Sequence, residues 1–155
     1  MPGTRPFRSS VLSKLEMNNS EKDKMLRGEL YDASDPLLRS ERLRAQVICA
    51  EYNNSCPEDI DKRMGLLKQL LGCIEGDCVI QPRFQCDYGY NIFLGSNFYS
   101  NFDLIILDVC EVRIGANCLV GPRVSILTAL HPIDSRKRKT GLEFGKGVTI
   151  GNNVW

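Results

Sequence analysis

Apolar residues change their spacing along the chain near Gly72. Before it they recur at helical intervals, and after it the spacing becomes six residues. The first part contains polar residues that cap helices and glycines that end them. It predicts three helices. The first is short, is capped by Asn19 or Ser20 and ends at Gly28. The second runs over about 36–52 after Asp35 and Pro36, and its apolar face consists of Leu37, Leu43, Val47 and Ile48. The third begins at Ser55 and Pro57 and ends at Gly72, and its apolar stripe consists of Ile60, Met64, Leu67 and Leu71.

The six-residue period runs through three trios of apolar or small residues, and the trios start 20 residues apart. Their members are Ile74, Ile80 and Cys86, then Leu94, Ser100 and Ile106, then Ile114, Val120 and Ile126. Such a repeat is typical of a coil with three short strands and three tight turns, in which these side chains point inward. An amphipathic helix cannot have this period. The fold class is therefore mainly β, a parallel β-helix with an N-terminal α-helical cap.

The period stops between Leu130 and Val148, and we interpret residues 131–147 as a loop that leaves the coil. The repeat resumes at Val148, and the sequence ends at Trp155 inside a coil. Three parts are predicted: a disordered extension over 1–18, a helical cap over 19–72, and a β-helix over 73–155 that contains the 131–147 loop.

Charge and hydropathy exclude several classes of protein. Lys and Arg number 20 against 19 Asp and Glu, a net charge of +1, whereas nucleic acids and anionic membranes need a concentrated basic surface as their partner. The longest apolar runs, such as 104–107, have four residues. A membrane span needs about 20. We therefore expect no nucleic-acid partner and no membrane partner.

The single histidine and the seven cysteines limit metal chemistry. His131 is the only histidine, which excludes sites built on two or three imidazoles, and we expect no metal. The cysteines are odd in number and never spaced as CxxC. We interpret them as small buried hydrophobic residues in a reducing compartment, the cytoplasm, with disulfides or metal binding as the alternative.

Several motifs occur in a fixed order from about residue 20 to the end. They are residues 24–31, 42–45, 52–55, Cys86-Asp87-Tyr88-Gly89-Tyr90-Asn91-Ile92, 97–103, 107–110, Thr128-Ala129-Leu130-His131-Pro132-Ile133-Asp134 and Ile150-Gly151-Asn152-Asn153-Val154-Trp155. Together they resemble the maltose/galactoside O-acetyltransferase family of hexapeptide-repeat enzymes.

This resemblance implies a left-handed β-helix, although the general rule for parallel crossovers favours the right-handed form. It also implies a homotrimer with active sites between subunits, and acetyl transfer from acetyl-CoA, the co-substrate, to a sugar hydroxyl. Family members continue past the residue that matches Trp155 into coils that supply most coenzyme A contacts. We therefore expect the cofactor-binding residues beyond Trp155, and little acetyl-CoA binding or transferase activity from a chain that ends there.

The family's catalytic histidine corresponds to His131. An imidazole suits this reaction because a sugar hydroxyl is a poor nucleophile until its proton is removed. Glu143 lies in the same predicted loop and is expected to orient the imidazole. The alternative for Glu143 is a solvated loop carboxylate.

For the acceptor sugar, the resemblance points to Asn101, Tyr99, Asp87 and an acid from the cap. Amide, phenol and carboxylate groups suit a polyol. Alternatives are a turn role for Asn101 and a packing role for Tyr99. The capping acid is either Asp35, which we favour and which also suits a helix N-cap, or Asp32.

Two functions remain at this point: a sugar O-acetyltransferase, and a non-catalytic half-solenoid that serves interaction or regulation. For assembly, apolar positions expected on the outside of the coil, such as Ile92, Ile105 and Leu107, favour a trimer.

Overall fold

The computed structural model describes residues 19–155, so the extension predicted over 1–18 lies outside the described residues. None of the helices in this range is long and apolar enough to cross a membrane. The helices are α1 (Glu21–Leu26), α2 (Pro36–Asn53), α3 (Ile60–Leu70) and α4 (Ser135–Arg138). The strands are β1 (Tyr31–Asp32), β2 (Cys73–Ile74), β3 (Cys78–Ile80), β4 (Phe84–Cys86), β5 (Ile92–Leu94), β6 (Phe98–Ser100), β7 (Leu104–Leu107), β8 (Val112–Ile114), β9 (Leu119–Val120), β10 (Ser125–Leu127), β11 (Ala129–Leu130), β12 (Leu142–Gly145) and β13 (Val148–Ile150).

Three parallel sheets form the coil that the six-residue period predicts. Face 1 consists of β4, β7 and β10, face 2 of β3, β6 and β9, and face 3 of β2, β5, β8 and β13. Phe84 lies opposite Leu104, and Ile105 lies opposite Ser125, so strands from β2 to β10 pair with the strand one 20-residue turn away. Strand β13 pairs with β8 across 36 residues, because the loop lies between them. The prediction of a parallel β-helix is confirmed.

The periodic positions point into the coil, as predicted. Seven of the nine are buried, and the other two, Ile74 and Val120, pack partly buried against the same core. A second inward position lies two residues earlier in the strands, because side chains alternate between the two sides of a strand. Ile92 occupies such a position and is fully buried. The prediction that Ile92 faces outward was therefore wrong.

The helices begin near the predicted positions, but their buried faces differ. Ser20 caps α1, and Asp35 caps α2 ahead of Pro36, whereas α3 begins only at Ile60 because the Asp59 carboxylate caps it. Four of the eight apolar residues expected to face the core do so at least in part: Ile48, Met64, Leu67 and Leu71. The other four are exposed: Leu37, Leu43 and Val47 on α2, and Ile60 on α3. The buried residues of α2 are Leu38, Ala45, Ile48, Cys49 and Tyr52.

Polar contacts attach the helices to the first coil. The Tyr52 hydroxyl donates to the Ile80 carbonyl at 2.6 Å. The Asn53 amide both donates to and accepts from the backbone of Phe84, at 2.9 and 2.8 Å. Helices and strands contribute to one hydrophobic core, so the boundary between cap and β-helix at residues 72 and 73 stays a prediction.

The segment predicted as a loop carries secondary structure of its own, α4 and β12. Strand β12 pairs antiparallel with both β11 and β1 and so joins the loop to the N-terminal cap. Gly28 allows this approach: its φ is +73°, and a Cβ there would lie 2.6 Å from the carbonyl oxygen of Gly145. Because other residues rarely adopt this φ and would clash, the glycine both ends α1 and brings β1 against β12.

Candidate active site

His131 directly follows β11, at the edge of the small antiparallel sheet. Within this sheet Ala129 pairs with Gly145 and Leu130 with Phe144, so continuing the register by one residue places His131 opposite Glu143. On the other side of β12, Tyr31 pairs with Glu143. Directly opposed residues of an antiparallel sheet have side chains on the same face. Tyr31, Glu143 and His131 therefore form one row across the sheet.

Glu143 is held in this row by a buried tyrosine. The Tyr31 hydroxyl donates to Oε2 of Glu143 at 3.0 Å, and Tyr31 is only 1% exposed. Burial, together with the negative charge of Glu143, raises the pKa of Tyr31, so this phenol remains a proton donor. The bond holds Oε2 of Glu143 on the Tyr31 side of the row.

The row borders a cleft of about 280 Å³ between the cap, the first coils and the loop. Its lining residues are Tyr31, Ala33, Arg42, Asp87, Tyr88, Leu107, Val109, Ala129, His131 and Glu143. The structure thus brings together three residues that were predicted from widely separated parts of the sequence: Asp87, His131 and Glu143.

Asp87 and Arg42 give the cleft its charges besides Glu143. Burial raises the pKa of Asp87, the positive charge of Arg42 opposes this rise, and the negative charge of Glu143 adds to it. Arg42 itself is held in place, because its guanidinium donates to the Tyr88 hydroxyl and to the Ala33 carbonyl, both at 2.6 Å. The cleft therefore presents fixed donors and acceptors of hydrogen bonds.

A buried carboxylate, Asp108, supports the turn that carries Asp87. Its oxygens accept the backbone N–H groups of Asp87 at 3.0 Å, Tyr88 at 2.9 Å and Asn91 at 3.3 Å. Asp108 is fully buried, and burial raises its pKa to about 7, against the opposing effect of the backbone donors. The turn between β4 and β5 is thus built around this side chain.

Within residues 19–155, no group of three or more His, Cys, Asp or Glu side chains is placed to hold a metal ion. The chemistry that the cleft itself offers is acid–base: an imidazole next to a carboxylate that a buried phenol orients.

Comparison with known proteins identifies the family of this chain. The family model described as the maltose acetyltransferase hexapeptide capping motif matches residues 24–76. Nodulation protein L of Rhizobium leguminosarum bv. viciae is 42% identical over 139 residues, which cover 90% of this chain and 73% of that protein. The chain belongs to the maltose/galactoside O-acetyltransferase family.

Two solved structures of the family share the fold. A maltose O-acetyltransferase from Clostridium difficile 630 has a TM-score of 0.86 and 44% identity, and the match covers 88% of this chain and 73% of that one. A galactoside acetyltransferase in complex with coenzyme A has a TM-score of 0.84 and 35% identity, with 89% and 69% covered. These neighbours confirm the left-handed parallel β-helix, whose handedness only the resemblance predicted.

Three predicted acceptor residues of this family member lie outside the cleft. Tyr99 and Asn101 lie on and just after β6, on face 2 of the coil. Asp35 caps α2, and its Oδ1 accepts the N–H groups of Leu37 and Leu38 at 3.0 and 3.2 Å. The alternative, Asp32, accepts from the backbone and hydroxyl of Ser34. The roles of all four in acceptor binding stay predictions.

Sequence reasoning missed Tyr31, Arg42 and Tyr88 as lining residues. All three lie in motifs that carried the family resemblance, so the signal was present at the level of the motif. Their positions in the cleft depend on the pairing of β1 with β12 and on the orientation of α2 about its axis. Neither feature can be predicted from the spacing of residues in the sequence.

Proposed function

We propose that this protein transfers an acetyl group from acetyl-CoA to a hydroxyl group of a sugar. The observation that carries the proposal is the row of Tyr31, Glu143 and His131 beside a polar cleft, in a chain of this family. The relatives support the two substrates: they include a galactoside O-acetyltransferase from Escherichia coli and a structure with acetyl coenzyme A bound.

In the proposed reaction, His131 acts as general base. The imidazole takes the proton of the sugar hydroxyl while its oxygen attacks the thioester carbonyl carbon. The tetrahedral intermediate then collapses, the C–S bond breaks, and the proton passes from His131 to the departing thiolate. Glu143 fixes the tautomer of the imidazole and stabilises its positive charge in between.

The acceptor sugar lies in the 280 Å³ cleft in this proposal. The Asp87 carboxylate accepts hydrogen bonds from its hydroxyl groups, and Arg42 donates to its oxygens. Both side chains are held by neighbours, which reduces the conformational entropy that binding must overcome.

We further propose a homotrimer in which face 1 of one subunit packs against face 2 of the next. Face 1 exposes Ile105 and Leu127, which are 37% and 53% exposed, beside the cleft. Face 2 exposes Val79 and Leu119, 48% and 51%, on either side of Tyr99. When one apolar face of a subunit packs against a different face of the next subunit, identical contacts can repeat and close into a ring. Packing of this kind would bring Tyr99 and Asn101 of one subunit towards His131 of its neighbour.

Sedimentation equilibrium at micromolar concentration tests this assembly. We expect the mass of a trimer for the protein and for the Thr149→Asp variant, which adds a charge on the outer surface of face 3. Leu127→Asp on face 1 is expected to give monomers, because the interface would bury an unpaired carboxylate. A monomeric wild-type protein would contradict the proposed trimer. A trimeric Leu127→Asp variant would exclude face 1 from the interface.

All seven cysteines are free thiols, five of them buried and two, Cys56 and Cys73, exposed. Burial of most of them agrees with their interpretation as small hydrophobic residues. Free thiols persist in reducing compartments, and we propose the cytoplasm as the location.

The function is tested by coenzyme A release. The purified protein is incubated with acetyl-CoA and, separately, maltose, glucose or a galactoside, and free thiol is followed against a reaction without sugar. We expect sugar-dependent release, with the acetylated sugar detected by mass spectrometry, from the chain completed past Trp155 with the coils of a family member, and little or no release from the chain that ends at Trp155. Absence of sugar-dependent release from the completed chain with every acceptor would support the interaction or regulatory protein instead.

A further inference from the structure

Two buried cysteines face each other between the cap and the first coil. The Sγ atoms of Cys49 on α2 and Cys86 on β4 are 3.7 Å apart, and the two residues are 1% and 6% exposed. All seven cysteines lie within residues 19–155, and only this pair forms a hydrogen bond between two thiols there. The pair connects elements 37 positions apart in the sequence.

This cysteine pair lies directly behind the acceptor cleft. Cys86 ends β4 and is followed by Asp87, which lines the cleft. Cys49 lies two helical turns after Arg42, on the same side of α2, and Arg42 lines the cleft from that helix. The two thiols therefore join the elements that position the two charged groups proposed to bind the acceptor.

The contact between the thiols makes their reactivities unequal. The hydrogen bond from Cys86 lowers the pKa of the Cys49 thiol, because it stabilises the thiolate. The same hydrogen bond and burial raise the pKa of Cys86. Cys49 is thus the more readily ionised thiol of the pair, and Cys86 remains a neutral thiol in contact with it. Both thiols are buried, so peroxide reaches Cys49 when α2 opens locally from β4.

We propose that Cys49 and Cys86 form an intramolecular disulfide when the protein meets hydrogen peroxide. The Cys49 thiolate attacks one peroxide oxygen, the O–O bond breaks, and water and a Cys49 sulfenic acid result. The Cys86 sulfur then attacks the Cys49 sulfur, the S–O bond breaks, and a second water leaves. Peroxide is reduced, and the two thiols are oxidised to one disulfide.

Formation of the disulfide alters the wall of the cleft. The two sulfur atoms must approach from 3.7 Å to the length of an S–S bond, about 2.05 Å, which draws the end of β4 towards α2. Asp87 follows Cys86 directly, so it moves relative to Arg42. This consequence rests on the proposed function: we expect the KM for the acceptor sugar to rise several-fold on oxidation and to recover with dithiothreitol.

The disulfide itself is tested without any activity measurement. The purified chain is treated with hydrogen peroxide, digested under non-reducing conditions and analysed by mass spectrometry. We expect a cross-linked peptide that contains Cys49 and Cys86, an intact mass lower by about 2 Da, and loss of both changes with reductant. The melting temperature should rise, because the cross-link constrains the unfolded chain.

Matched variants make the result specific. Cys73→Ala removes an exposed thiol and should leave the cross-link intact, whereas Cys49→Ala and Cys86→Ala should each abolish it. If an alanine variant does not fold, the peptide map and melting temperature of the wild-type protein decide alone. Sulfenic or sulfinic acids on unlinked cysteines, cross-links through other cysteines, or an unchanged mass would each overturn the proposal. A cross-link in a chain completed past Trp155 that lacks sugar-dependent turnover would leave the disulfide standing and refute the proposed function instead.

Discussion

Replacement of His131 by alanine in a chain restored to full length is expected to lower kcat for acetyl transfer by roughly 10²–10⁴-fold, the contribution that a general base typically makes. His131 is the only histidine of the chain, so no second imidazole can substitute for it within the subunit. It is exposed, and it lies at the end of β11 rather than in the core. The substitution should therefore leave the fold intact, which circular dichroism and the melting temperature would verify. Steady-state kinetics at saturating acceptor gives the effect on kcat.

Two further variants separate the base from the residues that position it. Glu143→Gln keeps the shape of the side chain but removes its charge, and Tyr31→Phe removes only the hydroxyl that donates to Glu143 at 3.0 Å. We expect kcat to fall less in both than in His131→Ala, and least in Tyr31→Phe, with little change in the KM for the acceptor. Turnover of His131→Ala at the wild-type level would exclude His131 from the mechanism. A rise in the KM for the acceptor without a fall in kcat for Glu143→Gln would assign that carboxylate to substrate binding instead.

The β-helix was predictable because its repeat constrains every coil. Ile106 pairs with Cys86 in the strand on one side and with Ile126 in the strand on the other. These three inward residues are 20 positions apart, so the 20-residue repeat in the sequence predicts the register of the strands. The buried faces of the helices were less predictable. On α2, Leu43 and Val47 look like core residues by hydropathy, yet both are exposed. The helix packs through Ala45, Cys49 and Tyr52. The shape of the coil that it covers determines this buried face, rather than the spacing of the helix's own apolar residues.

The candidate site was predictable only where the sequence carried a motif with chemical meaning. His131 and Glu143 were predicted as site residues, but the placement of His131 beside Glu143 required the pairing register of β11 with β12. Arg42 lies in a matched motif without an assigned role. It lines the cleft because of the orientation of α2 about its own axis, which the motif does not reveal. Asp108 also lies in a matched motif, 107–110, but its role could not be read there, because the three backbone N–H groups that its carboxylate accepts belong to another segment.

Replacement of Asp108 by alanine is expected to be the most destabilising of these substitutions. It would leave the N–H groups of Asp87, Tyr88 and Asn91 without an acceptor around a fully buried site. Each buried N–H that loses its partner costs about 1–3 kcal/mol, so we expect a loss of about 3 kcal/mol or more in the free energy of unfolding. Urea unfolding followed by fluorescence measures it. A loss below about 1 kcal/mol would contradict the role assigned to Asp108.

The matched variant Asp108→Asn keeps an oxygen for Asp87 and Tyr88 and should lose much less stability than Asp108→Ala. It also isolates the titration of the carboxyl group. Burial raises the pKa of Asp108 from 3.8 to about 7 in the folded protein, so folding takes up a proton between these values. The stabilisation from this group is then fully present below about pH 4 and is lost as the pH rises through about 7. Asp108→Asn should flatten that part of the stability profile. If wild-type protein and variant have parallel profiles from pH 4 to pH 8, Asp108 does not titrate in this range, and its three backbone donors outweigh the cost of burying its charge.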